Sequence, residues 1–295
     1  MNCSETELLA KLTNIVGVDW VKTSESDKQN YGKDWTNAFA ADPIAIVLPN
    51  TVEDVQSLVL LANQEEFALV PSGGRTGLSG GAVAMHQEVV VAFDRMNQIL
   101  DYSASDRQVV CQPGVITEQL QQYAQDKGLL YPVDFSSSGS SQIGGNIATN
   151  AGGIKVIRYG MTRNWVDGLK VVTGSGELLN LNKGLAKNAT GYDFRHLFVG
   201  SEGTLGFVVE ATIGLCSQTK DPSVLLLGVN DMQSTMPVLQ LFRDKLSLTA
   251  FEFFSNKALN HVIAEKGLQK PFDSQTEFYV LIEFENNTEK DLRQQ

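Results

Sequence analysis

The feature that most constrains what this chain can fold into is a glycine-rich segment directly after a short apolar run. Residues 68–71 are typical of a buried strand, and residues 72–81 contain five glycines. Because glycine tolerates positive φ, such a backbone can point successive N–H groups at one spot. The segment lacks the Gly-Lys-Ser/Thr ending of a P-loop, and a strand pattern at 88–93 stands where a GxGxxG fingerprint needs a helix. We therefore predict a diphosphate-binding loop, the alternative being a mobile surface loop.

Two further segments carry the same kind of pattern. Residues 136–153 combine small residues, which permit close backbone approach, with Asn146, Thr149 and Asn150, whose side chains can bond to a polar ring or to phosphate oxygens. Residues 200–206 contain three more glycines, a pattern that on its own indicates a tight turn. The first two segments together favour one large polar ligand over two unrelated loops.

Charge and composition exclude several classes of protein. The net charge is −11 and no Lys/Arg cluster exceeds a pair, which argues against nucleic acid and leaves an anionic ligand to local N–H groups. No apolar run approaches the roughly 20 residues of a membrane span, and no presequence pattern is visible, so we expect a cytoplasmic location. The three cysteines are far apart in sequence, which predicts unpaired structural thiols.

From residue 43 onward, apolar patterns of strand and helix type alternate, which predicts an α+β fold. Strands are predicted at 44–48, 68–71, 88–93, 108–112, 169–173, 178–181, 206–215, 224–229, 248–254 and 278–284. Helices are predicted at 6–12, after Thr51, and at 117–127, 232–245 and 256–266. We expect an N-terminal helical and irregular segment (1–40), a ligand-binding domain (41–217) and the start of a second domain (218–295). Residues 286–295 are typical of a helix that begins at a Thr288 cap, so we expect a longer natural polypeptide.

Five motifs occur in a specific order: Pro49 with residues 51–55, the loop at 73–81, residues 112–115, residues 143–153 and residues 200–206. In order and spacing they resemble the FAD-linked oxidases of the vanillyl-alcohol oxidase and p-cresol methylhydroxylase superfamily. The resemblance implies a two-lobed FAD-binding domain of the p-cresol methylhydroxylase type, followed by an incomplete α+β cap domain for the substrate. It also implies that the first loop wraps the FAD diphosphate while the second segment lies along the flavin.

The resemblance assigns a set of FAD-binding residues, which the glycine-rich segments and a few flanking positions supply. They are Gly73, Gly74, Arg75, Thr76, Gly77, Leu78, Ser79, Gly80, Gly81, Pro132, Gly139, Ser140, Ile143, Gly144, Gly145, Asn146, Thr149, Asn150, Gly152, Gly153, Tyr159, Gly203 and Val208. Arg75 has two interpretations, either pairing with phosphate or pointing outward into solvent. Some members of the superfamily attach the flavin through a histidine near the first loop. No histidine lies between residues 71 and 82, so we expect non-covalent FAD.

Other motifs look like those of the D-2-hydroxyglutarate dehydrogenases more than those of glycolate oxidases or cytochrome-linked D-lactate dehydrogenases. They are residues 31–36, 157–160, 187–193, 196–203, 250–253 and 279–283. The implied reaction oxidises a D-2-hydroxy acid, D-2-hydroxyglutarate to 2-oxoglutarate, by hydride transfer to flavin N5. Oxidation of D-lactate or glycolate stays an alternative, as does a flavin-binding fragment without catalysis.

The catalytic and metal-binding residues of such an enzyme are not found in this sequence. His86, His196 and His261 are far apart, and we expect each to be structural rather than a ligand. The resemblance places the histidine-rich motif for a divalent metal such as zinc, and the arginine and lysine that bind the substrate carboxylates, in a C-terminal half beyond residue 295. It implies three kinds of partner: a small 2-hydroxy acid, a separate electron acceptor such as an electron-transfer flavoprotein or a quinone-linked carrier, and a second copy in a homodimer.

Overall fold

The chain is described from a computed structural model that defines residues 2–36, 38–185, 187–218 and 221–286. Its helices are α1 (Glu5–Val16), α2 (Glu25–Tyr31), α3 (Val52–Glu65), α4 (Thr117–Asp126), α5 (Ile143–Thr149), α6 (Val156–Tyr159), α7 (Arg195–Phe198), α8 (Thr235–Arg243) and α9 (Asn256–Lys266). Its strands are β1 (Val21–Lys22), β2 (Ala45–Val47), β3 (Leu69–Ser72), β4 (Val89–Ala92), β5 (Ile99–Ser103), β6 (Gln108–Cys111), β7 (Leu129–Leu130), β8 (Val166–Thr173), β9 (Leu178–Leu181), β10 (Gly206–Gly214), β11 (Cys216–Ser217), β12 (Pro222–Val229), β13 (Ser247–Ser255) and β14 (Phe278–Glu285). None of the helices within these ranges is long and apolar enough to cross a bilayer.

Residue contacts divide the chain into two compact units. The first unit comprises Met1–Tyr131, Ser136–Ala151 and Thr162–Cys216. The second comprises Pro132–Phe135, Gly152–Met161 and Ser217–Gln295, so it takes two short segments from the middle of the sequence. The domain boundaries predicted after residues 40 and 217 stay a prediction.

The first sheet of unit 1 has the strand order β1-β2-β4-β3. Strands β2, β4 and β3 run parallel, with Ala45 and Leu69 both opposite Val89, while β1 pairs with β2 in the antiparallel sense. Every residue of β2 and β4 is buried, which explains why these strands are continuous apolar runs, as parallel strands covered on both faces are. The first glycine-rich segment leaves this sheet at the carboxyl end of β3.

Two helices of unit 1 begin at capping boxes and pack on the parallel sheet. Ser4 and Glu7 cap α1 reciprocally, and Thr51 and Asp54 do the same for α3, which satisfies N–H groups that would otherwise lack acceptors. Buried side chains then recur at helical spacing on both helices and join one core cluster with β2 and β4. Those from the helices are Leu8, Leu12, Val16, Val55, Leu58 and Val59.

The second sheet of unit 1 is antiparallel, in the order β5-β6-β10-β8-β9. Its central strand, β10, places Ala211 opposite Cys111 of β6 and Phe207 opposite Val172 of β8. Phe207 and Val172 belong to the same core cluster as α1 and α3, so both sheets share that core. The hairpin predicted at residues 169–181 is formed by β8 and β9.

Unit 2 is built on the antiparallel sheet β12-β14-β13. Helix α8 covers this sheet with Val238, Leu239 and Phe242, which pack against Val280 and Ile282 of β14. The short helix α6, from the middle of the sequence, lies against β13. Its flanking and internal cations form ion pairs with β14, Lys155 with Glu283 at 3.4 Å and Arg158 with Glu285 at 3.5 Å.

The α+β prediction is confirmed, and most predicted elements lie within a few residues of their observed bounds. Within the segment predicted as helical and irregular (1–40), the structure adds a second helix, α2, which begins at a Ser24 cap that accepts from the Asp27 N–H. The sequence patterns do not predict strands β1, β5, β7 and β11 or helices α5, α6 and α7. The predicted helix at 232–245 begins as a 3-10 turn, Met232–Ser234, before α8. The helix predicted from Thr288 lies outside the described residues.

Candidate cofactor-binding site

The loop at residues 73–81 presents a row of unbonded backbone N–H groups. Within the described ranges, the N–H groups of residues 74–79 donate no hydrogen bond to the chain, whereas that of Gly80 donates to Asp34 Oδ2 at 3.0 Å. Arg75 and Gly80 have φ of 58° and 82°. Left-handed residues can turn consecutive peptide groups toward one side, and a row of free N–H donors of this kind can bind an anion.

The second glycine-rich segment lies directly against this loop in unit 1. A Cβ added to Gly74 would overlap the carbonyl oxygen of Ser140, so only glycine permits this approach. A Cβ on Gly73 would lie 3.7 Å from Gly145 Cα. By contrast, a Cβ on Gly77 or on Gly145 would meet no protein atom within 4 Å, which marks open space beside both segments.

Helix α5 forms within the second segment because neighbouring carbonyls satisfy its first N–H groups. Ile143 N–H donates to Val115 O at 2.9 Å and Gly144 N–H to Pro113 O at 2.8 Å. A Cβ on Gly144 would lie 2.6 Å from Pro113 Cβ, so the helix can approach this turn only because residue 144 is glycine. The next N–H group, that of Gly145, donates to no acceptor in the described part of the chain.

The third segment, residues 200–206, contacts helix α5 of the second segment and the strand β3 that precedes the first loop. Gly200 N–H donates to Ile147 O of α5 at 3.0 Å. Gly203 has φ of 79°, and a Cβ there would overlap the Pro71 ring in β3. These contacts join the third segment to α5 and to the strand that precedes the first loop, so three segments distant in sequence converge in unit 1.

Arg75 turns its guanidinium toward the protein. Its Nη1 donates to Gly73 O at 2.9 Å, and its Nη2 lies 3.3 Å from Asp94 Oδ1. The guanidinium also stacks over the Tyr31 ring, 4.6 Å from the centroid. The interpretation of Arg75 as an outward, solvated side chain is therefore wrong, while its role toward phosphate stays a prediction.

The polar side chains of the second segment are bonded within the protein. Asn146 is buried and donates to Thr117 Oγ1 at 2.7 Å. Thr149 Oγ1 donates to Gly145 O at 3.0 Å, and Asn150 Oδ1 accepts from the Arg163 N–H at 2.9 Å. In this arrangement these side chains shape the segment, and their predicted bonds to a ligand stay untested.

Gln142 is a site residue that the sequence analysis did not predict. It precedes α5, its side chain is buried, and its Oε1 has no hydrogen-bond donor among the described residues. This oxygen would lie 3.6 Å from a Cβ on Gly73 and thus faces the first loop. A buried acceptor without a donor is costly, so a ligand N–H would satisfy it. The sequence signal was the single long polar side chain among the small residues before α5.

The other predicted residues are dispersed. Leu78 and Ser79 are exposed at the loop tip, and Ile143 and Val208 are buried in the interior of unit 1. Four predicted residues belong to unit 2 rather than unit 1. These are Pro132, Gly152, Gly153 and Tyr159.

The histidines form no cluster. His86, His196 and His261 are all exposed; His196 lies beside Arg163 and Asp193, at 3.0 and 3.4 Å. Among the described residues no group of three or more His, Cys, Asp or Glu side chains is arranged to hold a metal.

The convergent segments fit a large ligand that carries both an anion and hydrogen-bond donors. The N–H row of residues 74–79 suits phosphate oxygens, the open space at Gly77 and Gly145 admits a bulky group, and Gln142 Oε1 can accept from a ring N–H. FAD has a diphosphate and two ring systems with N–H donors, so it meets each of these requirements.

Two family models match this chain. Residues 43–182 match a FAD binding domain, and residues 218–295 match the C-terminal domain of FAD linked oxidases. The first match contains the loop at 73–81 and the second segment at 139–153. FAD is therefore the cofactor of this part of the chain.

Curated relatives agree with these matches. The chain is 60% identical to D-2-hydroxyglutarate dehydrogenase of Stutzerimonas stutzeri, over 99% of this chain and 63% of that protein. It is 34% identical to the mitochondrial D-2-hydroxyglutarate dehydrogenase of Arabidopsis thaliana, over 95% of this chain and 51% of that protein. The chain thus spans between about half and two thirds of the length of these relatives.

Solved structures share the fold. Alkyldihydroxyacetonephosphate synthase matches with a TM-score of 0.81 at 21% identity, over 99% of this chain and 57% of the other. p-Cresol methylhydroxylase matches with a TM-score of 0.74 at 15% identity, over 98% of this chain and 62% of the other. The fold expected from the motifs is confirmed, and with its two family matches the chain belongs to the FAD-linked oxidases.

Proposed function

We propose that the N–H row of residues 74–79 binds the FAD diphosphate and that α5, with Gln142, lies along the flavin. The observation that carries this proposal is the row of unbonded N–H groups beside open space at Gly77. The remaining predicted residues, including Pro132 and Tyr159, are proposed as further contacts. FAD is held without a covalent bond, since no histidine lies in the loop.

The proposed reaction is the oxidation of a D-2-hydroxy acid, D-2-hydroxyglutarate to 2-oxoglutarate. The names of the relatives at 60% and 34% identity support this substrate. When bound, FAD supplies the acceptor for the hydride that leaves the substrate carbon. The protein's part is to orient the hydroxy acid and to take up the hydroxyl proton, and we assign no catalytic residue to those tasks.

Several wider properties are proposed with this function. They are a FAD-binding domain at 41–217, the start of a substrate domain at 218–295, and a cytoplasmic location. The electron acceptor is proposed to be an electron-transfer flavoprotein or a quinone-linked carrier, and the assembly a homodimer. The domain bounds and the location are carried over from the sequence patterns, whereas the acceptor and the homodimer follow from the family resemblance.

The loop assignment is tested by Gly77→Val. A valine there has room in the protein and needs no positive φ, but its side chain fills the space proposed for FAD. We expect the purified variant to be folded and nearly colourless, with flavin content at least about tenfold below wild type, because one hindered contact in a closely fitted site costs on the order of 1–3 kcal/mol. Flavin released by denaturation is measured by absorbance.

Gly174→Val is the matched control, because Gly174 also has ordinary φ and open space but lies in the β8–β9 turn. It should keep the wild-type flavin content. Gly80 is unsuitable for this purpose, since its φ of 82° and its contact with Phe39 would strain a valine. Stoichiometric FAD in the Gly77 variant would refute the loop assignment.

The activity is tested by anaerobic mixing of the flavin-loaded 295-residue chain with D-2-hydroxyglutarate. Loss of the flavin absorbance near 450 nm would show substrate oxidation, with D-lactate and glycolate as comparison substrates. Selective bleaching by D-2-hydroxyglutarate supports the proposed substrate. Retained colour with all three would favour the alternative of flavin binding without catalysis, and bleaching by D-lactate or glycolate alone would favour those substrates.

A further inference from the structure

Asp34 is a buried carboxylate that contacts the loop at residues 73–81 and, among the described residues, forms no ion pair. Asp34 is 4% exposed as a whole residue. Oδ1 accepts from the Thr36 N–H and the Thr36 hydroxyl, both at 2.8 Å, and Oδ2 accepts from the Gly80 N–H at 3.0 Å. Burial raises the pKa of Asp34, but these hydrogen bonds lower it by more, so the group is ionised at neutral pH.

A carboxylate at this place does not suit contact with FAD itself. It only accepts hydrogen bonds, and its negative charge repels the diphosphate proposed for the adjoining N–H row. It does occupy one N–H group of the loop, that of Gly80, while leaving those of residues 74–79 unbonded. Asp34 therefore acts on the loop rather than on the ligand.

Neighbouring residues of the same segment also bind the loop. Trp35 N–H donates to Gly77 O at 3.0 Å, and Tyr31 O accepts from the Ser72 hydroxyl at 3.1 Å. With the Asp34 bond, residues 31–36 contact the end of β3 just before the loop, and the middle and end of the loop itself. We call residues 31–36 the strap.

A glycine-rich loop needs such restraint. Glycine has more backbone freedom to lose than any other residue, and Gly77 makes no close contact of its own on the side where a Cβ would lie. Unless another part of the protein orders the loop, binding must supply that ordering free energy and affinity falls. A buried, charge-assisted hydrogen bond at Gly80 supplies part of this order in advance.

We propose that Asp34 is a positioning residue that holds the loop in the conformation whose free N–H groups receive the FAD diphosphate. This proposal rests on the proposed function of the loop. It assigns the strap a role in cofactor affinity and not only in folding.

The test is Asp34→Asn, measured on the FAD-free 295-residue chain. Aspartate accepts from Thr36 with one oxygen and from Gly80 with the other, whereas asparagine has a single acceptor oxygen. Whichever donor that oxygen faces, the NH2 group faces the other donor, so at least one bond is lost. We expect the FAD dissociation constant to rise at least about tenfold, the scale of a hydrogen bond to a charged group. We also expect faster amide hydrogen exchange in the peptide that carries residues 73–81. Asp42→Asn is the matched control, because Asp42 is exposed and its side chain makes no hydrogen bond to the loop in the described residues.

A purely structural Asp34 would lower the melting temperature of the FAD-free protein but leave the affinity of the folded fraction and the loop exchange unchanged, and that result overturns the proposal. If Asp34→Asn does not fold, Thr36→Val decides, since it keeps the Gly80 bond and removes one bond to Oδ1. It should weaken FAD binding about two- to fivefold and speed loop exchange; unchanged values overturn the proposal. Should wild type and Gly77→Val bind FAD equally, the proposed loop function fails instead.

Discussion

At the scale of single residues, unit 1 uses its polar side chains mainly to hold its own backbone. Arg75 is neutralised by Asp94, and Asn146 is bonded to Thr117. Among the described residues, the groups left without a partner beside the loop include the N–H groups of residues 74–79 and of Gly145, and Gln142 Oε1. A site of this kind depends on backbone conformation, so side chains that fix the conformation matter as much as any that would touch FAD.

Cys111 provides a residue-scale prediction. Burial, with the nearby Glu210 charge, raises the pKa of this thiol to about 12. At pH 8 only on the order of one molecule in 10⁴ would carry the reactive thiolate. We expect Cys111 to resist a thiol reagent in the native protein at pH 8 and to react only after unfolding, when all three cysteines do.

The control is Cys111→Ala, titrated in both states. It should leave the number of thiols that react in the native protein unchanged and lower the number in denaturant from three to two. If this substitution lowered the number of thiols that react in the native protein, the burial of Cys111 would be contradicted.

At the scale of elements, α5 is the helix that sequence patterns could not reveal. Its Gly-Gly pair lowers intrinsic helix propensity, and its helical form depends on carbonyls of Pro113 and Val115, which lie far from it in sequence. The two glycines have opposite surroundings, since Gly144 packs on Pro113 and Gly145 faces open space.

This difference predicts opposite effects of alanine. Gly144→Ala should destabilise the FAD-free protein by about 1–3 kcal/mol, because its Cβ would lie 2.6 Å from Pro113 Cβ. Gly145→Ala should stabilise it by up to about 1 kcal/mol, because alanine favours the helix and meets no atom there. Urea unfolding of the two variants measures both; changes of the same sign would refute the packing of α5.

Elements with strong periodicity were predictable, and the others were not, for physical reasons. The sequence predicts helix α3 because the capping residues Thr51 and Asp54 precede an apolar face. It predicts β4 because four apolar residues, all buried in the structure, follow one another. Helix α2 has no fully buried residue and so shows no apolar stripe in the sequence, while α6 and α7 are single turns fixed by contacts. The glycine-rich composition predicted the loops of the site, but their approach at Gly74 and Ser140 depends on tertiary packing.

At the scale of the whole molecule, the net charge of −11 shapes how an anionic cofactor can be bound. The surrounding field opposes a diphosphate, and the one arginine of the loop is already paired with Asp94. Backbone dipoles at short range must then supply the attraction. Composition alone indicated this requirement, whereas the direction of each N–H group required the folded chain.

The discontinuous course of unit 2 has a consequence for synthesis on the ribosome. Lys155 and Arg158 emerge before β8, β9 and β10, whereas their partners Glu283 and Glu285 emerge after nearly all other elements of the chain. Because the ribosome adds roughly 5–20 residues per second, several seconds pass between the synthesis of the segment carrying α6 and that of the strand β14 with which it pairs. During that interval its exposed apolar side chains Ile154, Val156 and Ile157 are a natural place for a chaperone to bind the nascent chain.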